Sequence, residues 1–265
     1  MSAPSCVLGK AANGYISFYF LPQTVECTLK SFSMPQFLSH FIAPFDVWDG
    51  VALALLLLGW PIIGLWVEHE GTRRSTHSLI ADYRSRWMQE MLQRDNRILD
   101  GQILATLRQG AAFFTSASMI GIGGSIALIG QAGTLQSLAA DLSVELSAPK
   151  VVWETKLMLV VAILASAFLK FVWSHRLFGY CAVLLAAVPV DPQHKDAQRY
   201  AEKTAKLNTY AARSFNRGLR AMYFALAALA WLLGSWAMIS ATLLTLAVLY
   251  RREFSSQSRA ALIDL

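Results

Sequence analysis

Lys170 stands in the apolar run ASAFLKFVWSHR, with Trp173 three residues on and Arg176 six residues on. An ammonium inside such a run is costly unless it is lifted to an interface, paired, or used on a ligand. Near the inner end of a span it is expected to snorkel to the headgroups. The alternative is an anion or substrate site in which Lys170 acts with Arg176 or Arg220. Glu154 is sixteen residues away in the same run, about 24 Å along a helix, too far for direct pairing. Glu154 and Lys156 are expected at the outer interface. The other candidate functional residues lie in the polar stretches: Arg97 and Asp100 in RDNRILDGQ, and Asn216 and Arg220 in SFNRGLR. A salt-bridged network is the plain reading of the first of these.

Other chemistries find little support. No HExxH, GxSxG or P-loop pattern is present, so no catalytic residue is named. His40, His69, His77, His175 and His194 avoid the span interiors, and no two share a span as a haem pair would need. Carboxylates are nearly absent from those interiors, which counts against a proton relay or a cation transporter, and no internal repeat suggests an inverted-repeat transporter. The three cysteines show no CxxC or metal-ligand spacing. Cys181 reads as a small buried residue, and a Cys6–Cys27 bond is conceivable if that segment is exported. No cofactor and no metal are expected. GIGGSIALIG (Gly121 to Gly130) lies inside an apolar block without a following Lys-Ser/Thr, so it is not a phosphate loop. The net charge of +6 comes without any recognition module for nucleic acid.

The elements that must position these residues follow from hydropathy. At 55% hydrophobic and 15% charged, the chain is too apolar for an ordinary soluble domain. Its apolar residues come in blocks of the roughly 20 residues that cross a hydrocarbon core as helix. The expected fold class is all-α, a polytopic transmembrane helical bundle with amphipathic cytoplasmic helices. Spans are placed at about 45–67, 111–131, 151–173, 217–233 and 236–252, with cytoplasmic segments 68–110, 174–216 and 253–265. Arginine and lysine crowd the first and third loops, whereas Lys150 alone, against Asp141 and Glu145, serves the second. The positive-inside rule then puts the amino terminus outside. The block from Ala221 to Tyr250 carries no charge over 30 residues. One helix of about 45 Å would overshoot the core and leave Arg251 and Arg252 outside. A hairpin at Gly234-Ser235 returns them to the cytoplasm and puts Trp231 and Trp236 together at the outer interface; it is the favoured reading, with five spans, and four spans are the alternative. Residues 1–33 lack signal-peptide form, and composition changes at Met34, the expected native start; the preceding stretch is otherwise a poorly ordered extension. Residues 34–265 form a single membrane domain.

Two packing faces stand out. Ala117, Gly121 and Ser125 repeat at four-residue spacing and let a neighbouring helix approach closely. Leu79, Tyr83, Trp87, Met91 and Leu92 make one face of an amphipathic helix in the first loop, which lies on the anionic leaflet or packs under its own bundle.

Several stretches in order are similar to one family: Arg94 to Gln102, FFTSAS at Phe113 to Ser118, KFVWSHRLFGY at Lys170 to Tyr180, SFNRGLRAMYFALAALAW at Ser214 to Trp231, and LYRREF at Leu249 to Phe254. They resemble the domain-of-unknown-function 599 family of bacterial multi-pass membrane proteins. Members place Pro before the Trp of the last block, where this chain has Gly234-Ser235 before Trp236. The resemblance implies a multi-pass protein of the bacterial cytoplasmic (inner) membrane and brings no activity, cofactor or substrate. The leading functional expectation is therefore a non-enzymatic scaffold, regulator or accessory subunit acting through its basic cytoplasmic face. The alternative is a small anion or solute transporter or channel. Expected partners are the bilayer, anionic lipids at the cytoplasmic face, and a second copy or another membrane subunit, with no nucleic acid.

Overall fold

The computed structural model describes residues 7–10, 16–19, 45–69, 74–131, 133 and 149–263. The chain divides into two units, Met1–Phe45 and Asp46–Leu265. In the first, β1 (Val7–Lys10) pairs antiparallel with β2 (Ile16–Tyr19), with Val7 opposite Tyr19 and Lys10 opposite Ile16. This short pair lies in the expected amino-terminal extension, residues 1–33, and not in the segment expected to form the all-α bundle. Met34, Cys6 and Cys27 lie outside the described residues, as does the rest of the expected extension.

The second unit is helical. It comprises α1 (Val47–Glu68), α2 (Thr76–Leu92), α3 (Ile98–Gly130), α4 (Lys150–Ala187), α5 (Ala197–Leu229), a 3₁₀ turn (Ala230–Leu233), α6 (Ser235–Phe254) and α7 (Gln257–Ile263). Three of these, α1, α3 and α4, are long and apolar enough to cross a membrane. Both α3 and α4 outrun the expected spans. At 38 residues α4 is about 57 Å long, nearly twice the hydrocarbon thickness. Helix persists because nothing between Phe171 and Ala187 breaks it; α4 stops just before Pro189, whose ring disfavours helix in the preceding residue.

The block from Ala221 to Tyr250 is broken at Gly234, which adopts φ 120°, a conformation open to glycine. Contacts with α1 fix the path on either side. Trp231 Nε1 donates to Asp49 Oδ1 (2.6 Å), and Trp48 packs on Trp236 with ring centroids 4.5 Å apart, both at the start of α1. At its other end Glu68 meets Arg217 and Arg220, and Trp66 meets Tyr250 and Phe254. So α5 runs antiparallel to α1 and α6 runs parallel to it; the chain reverses at Gly234. Below, these are called the Trp end and the basic end of the bundle.

The main seam joins α4 to α5. The buried face of α5 is built largely from small residues, among them Ala197, Ala201, Ala205, Ala211, Ala221, Ala225 and Ala228, so the two backbones come close. Reciprocal hydroxyl bonds bind them: Ser174 Oγ donates to the Ala211 carbonyl and Ser214 Oγ to the Lys170 carbonyl, both at 2.8 Å. At Gly218 a Cβ would lie 2.7 Å from Phe171 Cε1. Phe171 is fully buried and packed between Phe114 and Phe215.

On α3 the expected packing face is rotated slightly. Gly121 faces Leu164 of α4, with Ser118 and Ser125 buried and Ala117 half-buried. The spacing 118, 121, 125 follows the 3.6-residue turn better than a strict repeat of four. At the basic end Met88, Met91 and Leu92 of α2 join Leu104, Phe178, Cys181, Leu185 and Ala201 in one core. The first-loop helix therefore packs on its own bundle. Met88 belongs to its buried face, whereas Leu79 and Tyr83 are only half-buried.

Gly218→Ala should overpack Phe171 and destabilise the protein by about 1–3 kcal/mol, whereas Gly101→Ala, with nothing within 4 Å of its Cβ, should be neutral or stabilising. Thermal unfolding in detergent compares the two.

Candidate functional site

At the basic end a cleft of about 540 Å³ opens between α1, α4 and α5. From α1 come Leu57, Trp60, Pro61, Gly64, Leu65 and Glu68; α4 supplies Lys170, and α5 supplies Arg217 and Arg220. The seam sets this geometry. The bond from Ser214 to the Lys170 carbonyl and the approach of Gly218 to Phe171 put Lys170 level with the turn of α5 that carries both arginines. Their i, i+3 spacing then places Arg217 and Arg220 on one face.

Glu68 accepts from Arg217 Nε at 2.9 Å and also pairs with both the Arg217 and Arg220 Nη2 groups. Arg220 is buried; Arg217 is half exposed. One carboxylate thus pairs with two guanidiniums, and the Lys170 ammonium lines the same cleft, so three positive charges stand there with one negative. Lys170 has no carboxylate partner among the described residues. Its Nζ bonds to Ser166 Oγ and lies 5.2 Å from the Trp60 ring centroid. This differs from the expected snorkelling. Helical side chains lean toward their own N-terminus, so the ammonium turns back along α4, and the Trp60 face holds it there as a cation–π partner.

The remaining candidates are dispersed. Arg176 is exposed, bonded to Tyr180 at 3.0 Å, and outside the cleft; Trp173 is about half exposed. Arg97 donates to the Val188 and Pro189 carbonyls, both at 2.8 Å, tying the start of α3 to the end of α4. Asp100 is fully buried and accepts from Trp87 Nε1 (2.6 Å) and from Arg94. Those two residues anchor helices, as a salt-bridged network would. Asn216 Nδ2 meets His77 Nδ1 at 2.9 Å in a second pocket. At the Trp end Lys156 is buried rather than interfacial, donating to the Trp231 carbonyl at 3.0 Å. Glu68, Arg217 and Trp60 are site residues that sequence reasoning passed over. The available signal was Glu68, the first carboxylate after the first apolar block. Among the described residues no group of three or more His, Cys, Asp or Glu converges as a metal site would require.

The profile described as "Protein of unknown function, DUF599" matches residues 51–258. The chain belongs to the DUF599 family. In this DUF599 protein the matched region takes in the cleft, the α4–α5 seam and nearly all of α1 to α6. No curated protein and no solved structure matches the chain.

Replacing Glu68 by Gln should leave the buried Arg220 without its counter-charge. A loss of roughly 3 kcal/mol is expected, read as a lower unfolding midpoint in detergent, and Arg220→Met on the same background should recover part of it.

Proposed function

We propose that this DUF599 protein is a non-enzymatic, five-span membrane protein that binds the anionic headgroup of an inner-leaflet lipid in the α1–α4–α5 cleft and acts there as a regulator or accessory subunit. The observation that carries the reading is the cleft itself. Apolar walls from Leu57, Trp60 and Leu65 lead to Lys170, Arg217 and Arg220, with a single carboxylate among them. That order, apolar then cationic, is complementary to an acyl chain below an anionic headgroup. The depth fits as well. Asp49 and Glu68 are nineteen residues apart on α1, about 28 Å, close to one hydrocarbon thickness. With Arg217 and Arg220 at the basic end and Arg251 and Arg252 following Tyr250 there, the positive-inside rule favours the cleft on the cytoplasmic side of a bacterial inner membrane, with the amino terminus outside and the carboxyl terminus inside.

A second reading, transport of a small anion, draws on the orientation of Lys170. Its ammonium turns toward Ser166 and the interior of the bundle rather than outward to the headgroups.

In nanodiscs mixing phosphatidylcholine with phosphatidylglycerol, the protein should retain phosphatidylglycerol selectively, as read by native mass spectrometry. Lys170→Met combined with Arg217→Gln should cut that retention several-fold; equal retention by both proteins would refute headgroup binding. Protein-dependent sulfate efflux from proteoliposomes, abolished by Lys170→Met, would favour transport instead. For topology, a cysteine at Ser256 should be labelled by impermeant maleimide only after the membrane is opened, and labelling of intact cells would eliminate the hairpin.

A further inference from the structure

A second cavity, about 240 Å³, lies at the basic end between α2, α5 and the chain around α6 and α7. It is separate from the lipid-facing cleft. Its lining includes Thr76, His77, Arg84, Asn216, Arg252 and Glu253. Donors outnumber acceptors there. The single carboxylate, Glu253, is already engaged, by the His77 backbone N–H (3.3 Å) and by Arg252 (3.2 Å). Arg84 has no carboxylate partner among the described residues; its hydrogen bond goes to the neutral Asn208 Oδ1. His77 receives the Asn216 amide on Nδ1, so its proton sits on Nε2, and that atom is buried without a partner. Burial holds the imidazole below its ordinary value, reinforced by Arg220 and Arg213 and opposed by Glu253 and Glu68, so at neutral pH it is a neutral donor.

Buried donors left unpaired are costly. Two guanidiniums with one occupied carboxylate repel a cation and suit an oxoanion, which accepts several charge-assisted bonds at once. The volume is below that of pockets for drug-sized ligands and leaves room for a phosphate or small phosphoester. We propose that this cavity binds a phosphate-type oxoanion, held chiefly by Arg84 and Arg252 with His77 Nε2–H as a neutral donor. The group could arrive on a free phosphoester or on a lipid headgroup; the chemistry of recognition is the same.

The test uses the full-length protein in nonionic detergent, with inorganic phosphate as probe and chloride at matched ionic strength as control. A bound anion stabilises the folded state by mass action, so phosphate should raise the unfolding midpoint more than chloride and broaden its ³¹P resonance. Loss of one charge-assisted contact in Arg84→Gln should weaken phosphate binding about tenfold or more, with Arg84→Lys retaining much of it. Arg252 is partly exposed, so Arg252→Gln should fold and also bind more weakly; it decides the matter if Arg84→Gln does not fold. Arg176→Gln, exposed and outside both cavities, should keep the full response. Equal effects of phosphate and chloride on the wild type would overturn the proposal. So would a wild-type phosphate response in Arg252→Gln and whichever Arg84 variant folds, or a response lost only in Lys170→Met. Replacing phosphatidylcholine by a phosphomonoester lipid in nanodiscs, without free phosphate, separates the sources: Arg84-dependent stabilisation there assigns the group to a headgroup, and its absence beside a free-phosphate response assigns it to a soluble ligand.

Discussion

The arrangement depends on how closely α4 and α5 approach. Small side chains let two helices approach closely, and interhelical hydrogen bonds then help to hold them. Here α5 offers alanines and Gly218, and the pair exchanges two serine-to-carbonyl bonds across the gap. Phe171 fills the space that Gly218 leaves and is packed in turn by Phe114 of α3 and Phe215 of α5. Because the seam fixes the register of α5 against α4, it also decides which charges of α5 stand beside Lys170.

Charge placement then follows from that register. Glu68 closes α1 where α5 presents Arg217 and Arg220, and the Trp231 indole reaches Asp49 at the opposite end. These polar ties, one near each end of α1, hold a helix that otherwise buries few residues, namely Ala52, Leu56, Ile63 and Val67. The Glu68–Arg220 pair is largely buried, where screening is weaker than for an exposed pair. The same cluster leaves positive charge in excess beside an open, apolar wall, which is the feature that the proposed headgroup site exploits.

The basic end holds a second layer of order. Arg97 caps the end of α4 through two carbonyls, and buried Asp100 collects Trp87 and Arg94. These residues are strongly polar yet serve to lock α2 and α3 onto the bundle. Lys170 and Arg84 are two half-buried cations without a carboxylate partner among the described residues, and each lines a cavity. Unpaired charge beside open volume is what separates a candidate site from a structural bridge in this protein.

Hydropathy alone located the three long apolar helices, because solvent and lipid act on each segment independently of its neighbours. The turn at Gly234 was also legible, since length and charge made a single helix awkward and glycine could supply the required backbone. Which face each helix buries was not. Ser118 displaced Ala117, and the small-residue face of α5 was passed over because its alanines read as ordinary helix formers. Lys170 was expected to reach outward, whereas Ser166 and Trp60 hold it back, and Trp60 is more than a hundred residues away in sequence. Sequence determines what each segment can tolerate; the partners of Glu68, Lys170 and Arg84 were decided only when packing fixed the rotation and register of one helix against another.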